Sequence, residues 1–218
     1  MRVEGWRIWG WIALVGALAA IGYAGRAVDG APPDDVLYRY DTAVGAVLLY
    51  GVLLLLVLLV AAGLPRREVF ALRRSPSWAG GLGWALLAFV TIFIGAGVLG
   101  WALDAGDEQG LTPDAWDSSK AGAYAANFVA VAFVGPLVEE LLYRGAGVTF
   151  LSQFGSGATV VITAIAFGLG HGLLLALPAF VFFGLVTALL RLRTRSVYPC
   201  IGVHSAFNAA SLVLAVAV

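Results

Sequence analysis

Apolar residues fall along this chain in long blocks, not in the three-and-four spacing of a half-buried soluble helix. The blocks predict helices that cross a bilayer, which takes about 20 mainly apolar residues each. They run from about Ile8 to Gly25, Ala43 to Ala62, Trp78 to Leu103 and Gly122 to Leu151. A fifth covers Ala158 to Ala176. After an interruption at Pro178, a sixth continues to Leu190, and the last covers Cys200 to Val218. The predicted fold is an all-α, polytopic transmembrane helical bundle of about seven spans. As an alternative, the fifth and sixth form one broken or re-entrant element around 158–190. The chain reads as a single transmembrane domain, 1–218, with N-terminal spans over 1–121 and a core over 122–218.

Composition sharpens this picture. Of 218 residues, 61% are hydrophobic and 12% charged, against about 25% charged in soluble domains. The 28 glycines fit close packing between membrane helices. Net charge is zero and no basic tract is interleaved with aromatics, which argues against a nucleic-acid partner. The single cysteine, Cys200, excludes an internal disulfide. Arg2 and Arg7 ahead of the first apolar run fit a signal-anchor helix that is not cleaved, because more spans follow.

The polar intervals sort by charge. PRREVFALRR (65–74) and RLRTR (191–195) are short and basic, whereas GRAVDGAPPDDVLYRYD and LDAGDEQGLTPDAWDSSK are acid-rich. Lys and Arg gather in short cytoplasmic loops. Seven spans then put the N-terminus and both basic segments in the cytoplasm and the C-terminus outside. Tryptophans 6, 9, 11, 78, 84 and 101 fall near predicted span ends, where aromatic rings favour the interface.

Against this background VAFVGPLVEELLYRGAG (131–147) is anomalous, with Glu139, Glu140 and Arg144 inside a span. Glu139 lies about 17 residues in, roughly 25 Å at about 1.5 Å per residue, in the inner half of the membrane. A charge there costs several kcal/mol unless paired or hydrated. Glu140 and Arg144, four apart, share a face and can pair. Glu139 is turned about 100° away, free to face a cavity, and Pro136 upstream removes a backbone donor. A purely structural salt bridge would account for Glu140 and Arg144, but not for the rest. Both histidines of the chain also lie in spans: His171, one turn after Phe167, and His204, one turn before Asn208.

Such a set has a chemistry. A carboxylate beside an imidazole can orient a water and take its proton. A second imidazole and an amide can donate to a developing oxyanion. Zinc is the less favoured alternative, since HExxH is absent and the histidines sit on separate spans. Ser205 beside His204 points about 100° away, and the chain has no GxSxG elbow. A Cys200–His204 pair is reachable at i, i+4 but lies at the membrane edge.

These residues resemble the CAAX-protease and bacteriocin-processing (CPBP, Abi) family of intramembrane glutamate endopeptidases. Its signatures EExxxR, FxxxH and HxxxN read here as Glu139–Arg144, Phe167–His171 and His204–Asn208, in that order. The resemblance implies a helical bundle with a cavity opening to the cytoplasm and inner leaflet. Glu139 and His171 would activate water, and His204 and Asn208 would hold the oxyanion. Glu140, Arg144 and Phe167 would support them. It implies no cofactor, and a peptide or membrane-protein substrate, lipidated or not. A non-catalytic membrane binding or immunity protein using the same cavity is the competing expectation. A proton-coupled transporter is less so, because the first half shows no repeat of EExxxR.

Overall fold

The structure is a computed structural model that describes residues 3–30, 32–33, 35–106, 108–111, 113 and 115–217. Arg2, the loop acids Asp34, Asp107 and Asp114, and Val218 lie outside the described residues. Among the described residues all regular structure is helical. The α-helices are α1 (Gly5–Asp29), α2 (Tyr40–Val60), α3 (Arg66–Val69), α4 (Trp78–Ala102), α5 (Ala121–Val129), α6 (Gly135–Glu140), α7 (Val148–Leu151), α8 (Ser156–Leu169), α9 (Leu177–Thr194) and α10 (Tyr198–Ala217). Two π-helical stretches, π1 (Ala130–Val134) and π2 (Leu141–Gly147), join α5, α6 and α7 into one rod.

Six helical segments are long and apolar enough to cross a membrane, and α8, with 14 residues, is a shorter seventh. At about 1.5 Å per residue α8 spans roughly 21 Å, less than the ~30 Å hydrocarbon core. The expected fifth span ran to Ala176, but α8 stops at Leu169. A turn follows in which Gly172 has φ +65° and packs on α1; a Cβ there would lie 2.6 Å from the Gly22 carbonyl carbon. Only glycine meets both demands at no steric cost. Pro178 does not break a helix. It sits in the first turn of α9, where its missing N–H costs nothing. α8 and α9 are therefore two separate antiparallel helices. They pack closely, because a Cβ on Gly184 would lie 2.8 Å from Ala164 Cα.

The alternation of ends follows the charge pattern. The two basic segments meet at one end, where Arg73 Nε donates to Arg195 O at 2.8 Å and Val197 N to Ala71 O at 3.2 Å. Arg7 joins them from α1, donating to Val60 O and Ala62 O at 2.8 and 2.7 Å. At the other end Tyr124 donates to Leu212 O at 2.6 Å, and Arg26 to Glu108 O at 2.7 Å.

The outer surface is apolar, with Leu48, Leu55, Leu86 and Ile94 among many exposed side chains, as lipid-facing helices require. Trp6, Trp9, Trp78, Trp84 and Trp101 are exposed, but Trp11 is buried. Its indole N–H donates to Leu142 O at 2.9 Å, so Trp11 is a core residue and not an interface anchor. Cys200, expected at the membrane edge, is also fully buried. The segment leading into α10 is tucked into the bundle, with Ser196, Val197 and Cys200 all inaccessible, although Tyr198 is exposed.

Candidate active site

The rod from α5 to α7 carries the acids, and its irregular winding follows from its sequence. In π1, Gly135 N–H bonds Ala130 O, five residues back. The next such partner, for Val131 O, would be residue 136. That residue is Pro136, which has no N–H. Asn208 of α10 fills the gap, its Nδ2 donating to Val131 O at 2.9 Å. In π2, Trp11 engages Leu142 O, and Arg191 Nε donates to Arg144 O at 3.1 Å. Side chains from three other helices thus satisfy carbonyls along the rod, and α6, with Glu139 and Glu140, is held between the two π stretches. Such π segments often mark functional sites.

Glu140 and Arg144 pair as their spacing implies, at 3.1 Å with both side chains fully buried. Arg144 also donates to Thr187 Oγ1 on α9 and to Gly184 O at 3.4 Å. Its guanidinium lies 4.3 Å from the Phe167 ring centroid. The same Glu140 oxygen, Oε1, lies 2.9 Å from His204 Nδ1. A carboxylate paired with arginine can only accept, so His204 Nδ1 carries a proton.

Glu139 faces the other way. Tyr50 on α2 donates to its Oε1 at 2.8 Å. Its Oε2 has no hydrogen-bond partner and is buried. That oxygen lies 3.8 Å from His171 Nε2 and 3.9 Å from His204 Nε2. His171 Nδ1 lies 2.8 Å from Phe167 O. A carbonyl only accepts, so Nδ1 bears the hydrogen and Nε2 presents its lone pair to Glu139 when the ring is neutral. Phe180 of α9 backs His171, with ring centroids 4.0 Å apart.

His171 lies in the turn after α8 and His204 in the second turn of α10. Both rings reach the same oxygen of Glu139.

A cavity of about 430 Å³ adjoins these groups. Glu139, His171, His204 and Asn208 all line it, together with Tyr50, Phe180 and Phe207. Its walls run toward the acid-rich end, to Gly100, Ala105, Gly106, Gln109 and Ser211. The basic segments do not line it. The two expectations that the basic end is cytoplasmic and that the cavity opens to the cytoplasm therefore refer to opposite ends of the bundle.

The loop at that wall is tied down by Glu108, whose oxygens accept Leu174 N and Ala176 N at 2.8 and 2.7 Å. Burial pushes this carboxyl up, but the N–H groups of Ala176, Leu174 and Leu175, with Arg26 nearby, outweigh it and leave it below the usual carboxylate range.

Every expected site residue thus lies in or against one cluster. Sequence reasoning missed Tyr50, Thr187 and Phe180. Tyr50 had a signal, as the one hydroxyl in the apolar run from Ala43 to Val60. Cys200 takes no part, its thiol directed at Thr187 O at 3.4 Å.

Residues 121–210 match the family model for type II CAAX prenyl endopeptidase, Rce1-like. The match runs from α5 into α10 and contains all three motifs, in agreement with the resemblance read from the sequence. No curated protein and no solved structure matches the chain. Among the described residues, no group of three or more His, Cys, Asp or Glu side chains is placed to hold a metal ion.

Proposed function

We propose that this membrane protein is an intramembrane endopeptidase that hydrolyses a peptide bond with water activated by Glu139 and His171. The observation that carries the reading is the convergence of three unconnected segments on one atom. Glu139 Oε2 faces His171 Nε2 and His204 Nε2 at 3.8 and 3.9 Å beside the cavity. A water between Glu139 Oε2 and His171 Nε2 can donate to both. Glu139 takes one proton as the water oxygen bonds to the peptide carbonyl carbon. In this reading His204, held at Nδ1 by Glu140, donates through Nε2 to the oxyanion. Asn208 has a second amide hydrogen for the same oxygen, since Val131 O takes only one. Glu139 then passes its proton to the leaving nitrogen, the C–N bond breaks, and the acid product gives its remaining water-derived proton to His171 Nε2, so that a carboxylate and an amine result.

The substrate in this reading is a peptide segment, lipidated or not, that reaches the cavity within the bilayer. No cofactor enters any step. Residues 122–218 form the reacting core, with 1–121 packed around it in one transmembrane domain. Charge asymmetry places the N-terminus and both basic segments in the cytoplasm and the C-terminus outside. Glu139 sits nearer Leu151 than Ala121, so cleavage falls in the cytoplasmic half of the membrane while the cavity leads toward the opposite end.

The test compares peptide termini in membranes from cells carrying the wild type or Glu139→Gln. Termini present only with the wild type, from a variant that inserts and folds normally, are the expected result. Retained cleavage of a confirmed substrate by purified Glu139→Gln would sink the mechanism. A ligand that binds the wild type and is never cut would favour the non-catalytic binding or immunity reading.

A further inference from the structure

We propose that Tyr50 is a positioning residue that fixes which oxygen of Glu139 acts as the base. The inference rests on the hydrolytic role given to Glu139 and adds a residue from outside the family match, which begins at 121. A carboxylate has two equivalent oxygens and rotates freely unless one is held. Here Tyr50 holds Oε1 at 2.8 Å, and Oε2 alone faces the histidines.

Three features show that this contact is built into the fold. Tyr50 stands alone as a hydroxyl-bearing side chain in a stretch of α2 made of aliphatic residues and glycine. A phenol O–H in such surroundings needs a partner, and the one it has is the carboxylate. The ring also has a prepared seat. A Cβ on Gly135 would lie 2.8 Å from both Tyr50 Cζ and Oη, so only glycine at that position lets the phenol reach Glu139. Finally, Gly135 is the residue at which π1 closes, next to Pro136. The end of the π winding before Glu139 and the gap that admits Tyr50 thus fall on one dipeptide. With Oε1 tethered, the reacting oxygen is held in place before substrate arrives, and such pre-orientation lowers a barrier.

The test is Tyr50→Phe, which removes one oxygen atom and keeps the ring. The first readout needs no substrate: labelling of Glu139 by dicyclohexylcarbodiimide, an apolar reagent that adds to carboxyls inside membranes, followed by peptide mass spectrometry. Releasing Oε1 should speed labelling by about tenfold, the order expected for one hydrogen bond to a charged group. The second readout is cleavage of whichever membrane protein loses its new terminus in Glu139→Gln cells, where kcat should fall by a similar factor with KM unchanged. Gly135→Ala, which displaces the ring from the other side, should reproduce both effects if Tyr50→Phe folds poorly. Unchanged labelling overturns the tether whatever the activity. A rise in KM at constant kcat overturns it too, and makes Tyr50 a substrate contact. Faster labelling in Tyr50→Phe, with no cleavage even by the wild type, overturns the hydrolytic role of Glu139 and leaves the tether standing.

Discussion

One oxygen of Glu140 serves two partners: its Oε1 is 2.9 Å from His204 Nδ1 and 3.1 Å from Arg144 Nη1. The carboxylate that pairs with Arg144 within the rod is therefore also the group that orients the second histidine. Its two roles separate by mutation. Arg144→Met should destabilise the protein by about 3–5 kcal/mol, because it strands a buried carboxylate. Adding Glu140→Leu should restore most of that stability but not proteolysis, since His204 loses its Nδ1 partner. Denaturant titration in mild detergent, run beside a cleavage assay, checks both halves.

Asn208 and Pro136 are coupled through Val131 O. Asn208→Ala should cost about 1–3 kcal/mol by leaving that carbonyl unpaired. In a Pro136→Ala background residue 136 regains an N–H for the same oxygen, so the cost of Asn208→Ala should shrink. A double-mutant cycle on unfolding free energy measures the difference, and strict additivity would refute the coupling.

The turn after α8 depends on its glycine. Gly172→Ala should destabilise by at least about 1–2 kcal/mol from the left-handed backbone alone. The collision with Gly22 adds to this and should displace His171. Lower thermal stability together with reduced activity is the expected pair of results; an unchanged melting temperature would contradict the close approach.

Glu108 ties the loop at the cavity wall to the turn leading into α9, and its carboxyl sits below the ordinary range. A carboxyl with a depressed folded value stabilises the contact above its unfolded value and loses it as pH falls through the folded one. The tie should hold at pH 6 and release on the acid side of about pH 4. Protection of the Leu174 and Ala176 amides, taken relative to the intrinsic exchange rate at each pH, should fall there, and Glu108→Gln should lower it already at pH 6.

Much of this arrangement could be read from the chain, for physical reasons. Charges in an apolar span are costly, so Glu139, Glu140 and Arg144 declared themselves. The i, i+4 spacing foretold the Glu140–Arg144 pair. The basic segments foretold which helix ends meet. What stayed hidden depends on partners distant in sequence. Thr187 looks like any small helix residue until Arg144 reaches it. Trp11 resembles an interface anchor until its N–H finds Leu142 O across the fold. The end of α8 was misplaced because GHG reads as an apolar continuation, whereas the close approach of Gly22 makes it a turn.

The two π stretches around α6 carry a last consequence, which concerns residue number and not residue type. A π turn amounts to one residue more than the same length of α-helix needs, and each residue turns the helix by about 100°. Deleting a single alanine from 130–134 would alter no charged or polar side chain. It would let the stretch close as α-helix with Glu139 and Glu140 on their present faces, but it would remove the free Val131 carbonyl that Asn208 caps, and with it that tie between the rod and α10. The site therefore depends on that surplus residue as well as on its acids and histidines, and a chain with all three motifs but one residue fewer between Ala130 and Val134 would lose the carbonyl that seats Asn208.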